Sequence, residues 1–155
     1  MCESVWKRSA PLYASHVSTG PAVLSLKVDT FNSWAPDSGN GNRKLILAAE
    51  MCGGGGALFA VELNSPQWAL TRGQMPQAIA ESRSKEVADK IGNLVDLLNR
   101  DNGIVISIHT DYAAVFANFE FREAMQKRGV DCVFSRYSML HGRQIRDILD
   151  LIRDD

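Results

Sequence analysis

Hydrophobic positions along the chain fall into runs of two kinds, one with a period of two and one with a period near 3.6. Over residues 22–29, Leu24, Leu26 and Val28 alternate with Ser25, Lys27 and Asp29, which predicts a half-buried strand closed by Asp29. Residues 45–51 (LILAAEM) and 57–63 (ALFAVEL) predict two more strands, joined through the four consecutive glycines at 53–56. Between 81 and 100, Val87, Ile91, Leu94, Val95 and Leu98 recur at helical spacing, so this segment predicts an amphipathic helix ended by Asn102-Gly103. Residues 104–108 (IVISI) are nearly unbroken in apolar character and predict a buried central strand that stops just before Asp111. A second helix follows, capped by Asn118, with Phe121, Ala124 and Met125 as its inner stripe and Gly129 beyond its end. Residues 130–134 predict the next strand. The last helix, 142–155, carries Ile145, Ile148, Leu149 and Ile152 on one side and Arg143, Arg146, Asp147 and Asp150 on the other.

Three strands joined by loops, then helix, strand, helix, strand, helix: this order predicts an α/β fold. The expected arrangement is a mixed sheet of three leading antiparallel strands followed by alternating helices and strands, with the helices on its faces. Residues 34–42 and 64–76, rich in Gly, Pro, Asp and Asn, read as connections. Residues 1–21 have no sustained period and are expected to form an extended arm before a single domain at 22–155.

Composition narrows the functional classes. With 45% hydrophobic and 23% charged residues the chain has the make-up of an ordinary globular domain able to bury a core. A net charge of −1 provides no general basic field, so affinity for nucleic acid has to come from local patches or from parts outside this chain. Cys2, Cys52 and Cys132 are odd in number and scattered, which argues against a disulfide framework or a zinc cage and for a reduced, intracellular setting. No apolar run is long enough for a bilayer, and no membrane partner is expected. The glycines at 53–56 lack the Gly-x-x-x-x-Gly-Lys-Ser/Thr spacing of a phosphate loop and are read as a hairpin connection.

Candidate chemistry rests on acids at strand ends, where an α/β sheet exposes functional groups. Asp29 and Asp111 both occupy such positions in this reading.

The block IHTDYAAVFANFEFREAMQKRGVDCVF, residues 108–134, resembles the second half of a retroviral or retrotransposon integrase catalytic core. In that family a strand ends in Ser-Asp or Thr-Asp, an aromatic stands five residues on and a phenylalanine about ten on, and a Gly-Ile step precedes the next strand. The matching positions here are Thr110-Asp111, Phe116, Phe121 and Gly129-Val130. VDTF, with Asp29, resembles the family's first strand and its first catalytic aspartate. The family's glutamate follows after thirty-five intervening residues, a few positions beyond a glycine; here the glycine is Gly142 and the acid is Asp147. The resemblance spans roughly residues 23–152.

What the resemblance implies is a ribonuclease-H-like fold and metal-dependent DNA strand transfer. Asp29, Asp111 and Asp147 would be the catalytic acids and would ligate two Mg²⁺ or Mn²⁺ ions. The partners it implies are element-end DNA, target DNA and further copies of the chain, in the nucleus where the genome is eukaryotic. The chain departs from the family at Tyr112-Ala113, where Asn-Gly is usual, and at Asp147, one methylene shorter than glutamate. It also lacks the family's carboxyl-terminal DNA-binding region, which suggests a truncated core. Two other readings stay open. A ribonuclease H would draw a glutamate from the helix before the central strand, Glu81 or Glu86, and a catalytically silent domain would bind nucleic acid or protein only. His109, two residues before Asp111, is read as a structural histidine; His141 stands in a loop that could touch DNA and is given no role. Cys2 is read as a free thiol, since the position that would complete a Cys-x-x-Cys pair with it is Val5.

Overall fold

The computed structural model describes residues 7–8, 22–33, 44–52, 57–63, 77–101 and 103–153. The expectations for Cys2, for the connections at 34–42, 53–56 and 64–76, and for most of the amino-terminal arm lie outside the described residues. Strands β1 (Lys7–Arg8), β2 (Ala22–Ser33), β3 (Lys44–Cys52) and β4 (Leu58–Glu62) lead into helix α1 (Gln77–Asp101). They are followed by β5 (Gly103–Thr110), α2 (Phe119–Gln126), β6 (Asp131–Phe134) and α3 (Gly142–Arg153).

All strands join one sheet in the order β1-β4-β3-β2-β5-β6. The β2, β3 and β4 strands form an antiparallel meander, and β5 and β6 add to β2 in parallel. This is the expected α/β architecture. One correction concerns Asp29. It does not close its strand, because Thr30, Phe31, Asn32 and Ser33 continue it in register with Leu47, Ile46, Leu45 and Lys44. The β-branched and aromatic pair after the acid favours extended backbone, and the facing strand is long enough to hold it.

The sheet separates two cores. On its first face Leu24, Leu26, Val28, Leu47, Ala49, Met51, Phe59, Val105 and Ile108 meet Val87, Ile91, Leu94, Val95 and Leu98 of α1 and Phe121 and Met125 of α2. Each fully buried aliphatic or aromatic chain there stabilises the fold by roughly 1.5–3 kcal/mol. On the second face Ile46, Ala48, Leu58 and Ala60 meet Leu140 and Ile148, the latter on α3. Because α3 packs on β4, the second face remains uncovered over β5 and β6 by any described residue. The expectation of a fully buried β5 is therefore corrected: Ile104 is 57% and Ile106 45% exposed. The hydrophobicity of the strand is matched by helices on one side only.

Helix ends follow their sequence signals. Asn118 Oδ1 accepts the Phe121 N–H at 2.9 Å, the cap expected for α2. Its carboxyl end turns through Gly129 at φ 69°, a left-handed backbone that favours glycine, while the Val130 N–H returns to the Met125 carbonyl at 3.0 Å. No described helix is long and apolar enough to cross a membrane.

A break in the β2–β5 register decides where side chains point. Leu24 pairs with Val105, but Ser25 pairs with Ser107, leaving Ile106 as an extra residue in β5. Without it Asp111, six residues after the inward-facing Val105, would share the first face with the helices. The bulge reverses the phase and sends Asp111 to the second face, the face Asp29 occupies.

Candidate carboxylate site

Lys27 of β2 lies opposite His109 of β5 in the parallel register. Two residues further on are Asp29, still within β2, and Asp111, just past the end of β5, near enough for their charges to act on each other. Asp111 follows the last residue of β5, so it stands at a carboxyl end as expected.

Asp29 is only 5% exposed. Its Oδ1 accepts the Thr30 N–H at 2.9 Å and its Oδ2 the Leu140 N–H at 3.4 Å. Leu140 can reach it because its side chain is anchored in the second core, which draws the loop between β6 and α3 across the sheet. Burial pushes the Asp29 carboxyl above its ordinary value; the two backbone N–H groups oppose this, the Asp111 charge adds to it and His141 slightly offsets it. Asp111 is half-buried, and its Oδ1 accepts the Ala113 N–H at 2.9 Å in a turn closed on the side chain. The Thr110 hydroxyl donates to the Asp111 carbonyl at 2.9 Å, and the Ser135 N–H to the Thr110 carbonyl at 2.9 Å. The end of β5 is thereby tied to the loop after β6.

Asp147 is half-buried on α3, one residue before the buried Ile148. It is not among the charges acting on Asp29. Among the described residues no group of three or more His, Cys, Asp and Glu is gathered as a metal cage. Asp29 and Asp111 are thus brought together, and Asp147 is not gathered with them.

The helix glutamates lie elsewhere. α1 packs on the first face, opposite the two aspartates. On it Glu81 accepts from Gln77 at 3.0 Å and Glu86 pairs with Lys90 at 3.0 Å. His109 Nε2 lies 3.2 Å from Ser107 Oγ, which in turn lies 2.9 Å from Ser25 Oγ, a hydrogen-bonded row consistent with a structural histidine. An open groove of about 470 Å³ between α1 and α2 is lined mostly by charged side chains, Lys85, Asp89, Glu120 and Glu123 among them, and is remote from the aspartates.

Two features of the site were not read from the sequence. The Leu140 N–H donor and the nearness of His141 arise from the path of a loop whose apolar residues, Tyr137, Met139 and Leu140, follow no period that would show which of them is buried. The other is an aromatic pair: Tyr112 stacks on Phe134 with ring centres 5.5 Å apart and planes at 19°.

Two carboxylates whose charges oppose each other, one of them desolvated, form an oxygen donor set suited to a hard divalent cation. Such an ion would offset the burial and repulsion that raise the proton affinity of Asp29.

No protein-family model matches the sequence, nor does any curated protein. Among solved structures, the chain is similar to a chain in the cryo-EM structure of the simian T-cell lymphotropic virus intasome in complex with PP2A regulatory subunit B56 gamma. The TM-score is 0.53 at 12% identity, over 90% of this chain and 42% of that one. At that identity the likeness concerns the fold alone, a mixed α/β sheet with helices that is consistent with a ribonuclease-H-like arrangement. This chain spans less than half of the chain it matches.

Proposed function

We propose that this domain is the catalytic core of a retroelement integrase, transferring DNA strands with divalent metal. The observation that carries the reading is the nearness of Asp29 on β2 and Asp111 just past the end of the parallel β5, whose charges act on each other, beside a part of the sheet face that no described residue covers. Asp29 and Asp111 would hold Mg²⁺ or Mn²⁺, and Asp147 would complete the ligand set from α3. When bound, two such ions activate the attacking hydroxyl and neutralise charge on the phosphate. The chain's own residues fix the geometry: the Thr30 and Leu140 N–H groups orient Asp29, and the turn at Ala113 orients Asp111. Element-end DNA, target DNA and further copies of the chain are the proposed partners, within the cell and in the nucleus where the host genome lies there.

A ribonuclease H reading is disfavoured by the position of Glu81 and Glu86 on the other side of the sheet. A catalytically silent nucleic-acid- or protein-binding domain is the second reading, favoured by the lack of a three-acid cluster among the described residues.

A disintegration assay on branched DNA with Mg²⁺ or Mn²⁺ separates these. Wild type is expected to resolve the branch, and Asp111→Asn and Asp147→Asn to lose at least a hundredfold in rate, the scale of a misplaced catalytic group. Activity retained in Asp111→Asn overturns the proposal. Activity retained in Asp147→Asn alone removes the third ligand.

A further inference from the structure

Tyr112 follows Asp111 directly and is 62% exposed. An exposed aromatic ring is ordinary when its chain is free to move, but this one is held from both ends. The Asp111 carboxylate accepts the Ala113 N–H across it, pinning the backbone on either side of Tyr112. The ring itself lies nearly parallel to Phe134, at the end of β6. Phe134 also carries the Arg122 guanidinium, 5.4 Å from its centre. The result is a short stack of flat groups with an exposed ring at its outer end, beside a carboxylate of the candidate site.

A preset ring of this kind can extend its stack by one more flat group at little further cost in conformational entropy. Nucleobases are such groups, and any base will serve because each has a π face. In a duplex both faces of a base are already covered, so the platform can accept only an unpaired one, frayed at an end or standing in an overhang. Arg122 adds positive charge next to the stack, where a phosphate of the same strand would pass.

We propose that Tyr112, backed by Phe134, is the stacking platform for one unpaired nucleobase of a DNA end bound at the carboxylate site. This rests on the strand-transfer reading for its ligand and deepens it: the end would be engaged as a splayed single strand, with the phosphate next to the stacked base lying towards Asp111.

The test uses a duplex whose short 3′ overhang ends in 2-aminopurine, a base whose fluorescence falls on stacking, titrated with the full chain in EDTA so that binding is read apart from chemistry. Wild type and Tyr112→Phe are expected to quench the probe alike. Tyr112→Leu, which keeps apolar cover on Phe134, is expected to lose the quenching and about 5- to 150-fold in affinity for the overhang. Its affinity for a blunt duplex is expected to match wild type. The free 2-aminopurine nucleoside is expected to show no quenching at the same concentrations. Equal quenching and affinity in Tyr112→Leu overturn the platform, and equal quenching of the free nucleoside overturns the assignment to a DNA end. The two readings fail separately: Tyr112-dependent quenching in a chain inert on branched DNA would end the strand-transfer reading alone, whereas an active chain indifferent to Tyr112→Leu would end the platform alone.

Discussion

At the scale of single residues, Asp29 sets a conflict between stability and chemistry. Burial, assisted by Asp111, raises its carboxyl above the ordinary value of 3.8. Between that value and the raised one, the native state keeps a proton that the unfolded chain has released. Stability therefore falls as pH rises through this window and stays lowered above it. Denaturant melts of wild type and Asp29→Asn across acid to neutral pH should diverge, with the difference moving in favour of the asparagine variant as pH rises. A pH-independent difference would mean that the carboxyl is not perturbed. The sequence disclosed the residue types at this site and their positions near strand ends, because acids interrupting apolar runs are conspicuous. It did not disclose that Asp29 lies inside its strand, nor that Leu140 bonds to it, since both depend on what packs opposite. Tyr112 was visible only as a departure from a family pattern, and its stack on Phe134 joins residues from two strand ends.

At the scale of elements, periodicity located the long strands and every described helix, but α1 begins at Gln77 rather than near 81, because its first turn, QAIA, is separated by a polar stretch from the apolar stripe that starts at Val87. The bulge at Ile106 had no signal at all: a run of apolar residues looks the same with one extra member. It nevertheless determines the face of Asp111. Ile106 is 45% exposed, so Ile106→Ser should change stability by no more than about 0.5 kcal/mol. Deleting Ile106 removes the extra residue and leaves Ser107 opposite Ser25 and Ile108 opposite Leu26, so Ile108 and Thr110 keep their faces and the variant should still unfold cooperatively in a urea titration. A second element-level device joins α1 to α2. Arg128 binds Asp96 through Nε at 2.9 Å and a terminal nitrogen at 3.1 Å, and donates to the Ala124 carbonyl at 2.8 Å. Gly92 makes room for it, since a Cβ there would lie 2.8 Å from the guanidinium carbon. Gly92→Ala in wild type should be nearly neutral, its helix-propensity gain offset by the displaced arginine. In an Arg128→Ala background the same change should stabilise by about 1 kcal/mol, the propensity term alone. Equal effects in both backgrounds would show that the arginine does not use that space.

For the molecule as a whole, where described residues cover only part of the second sheet face, the proposed metal site at the aspartate pair has a consequence for stability. Any ligand that binds the native chain and not the unfolded one stabilises it by RT ln(1 + [L]/Kd), about 2.7 kcal/mol at a hundredfold excess over Kd. For a domain of this size that corresponds to a rise in Tm of roughly 5–10 °C. The rise should occur with Mg²⁺ or Mn²⁺ and require both carboxylates, because one buried acid alone leaves an ion short of ligands. Asp111→Asn should start with a melting temperature equal to or above that of wild type, since it removes a repulsion on Asp29, and should respond little to either metal. Thermal melts of the two proteins in EDTA and in rising Mg²⁺ or Mn²⁺ check this. A wild-type Tm that does not move with either metal, or moves equally in Asp111→Asn, would separate the fold from the metal chemistry proposed for it and leave the domain to bind its partners without catalysing.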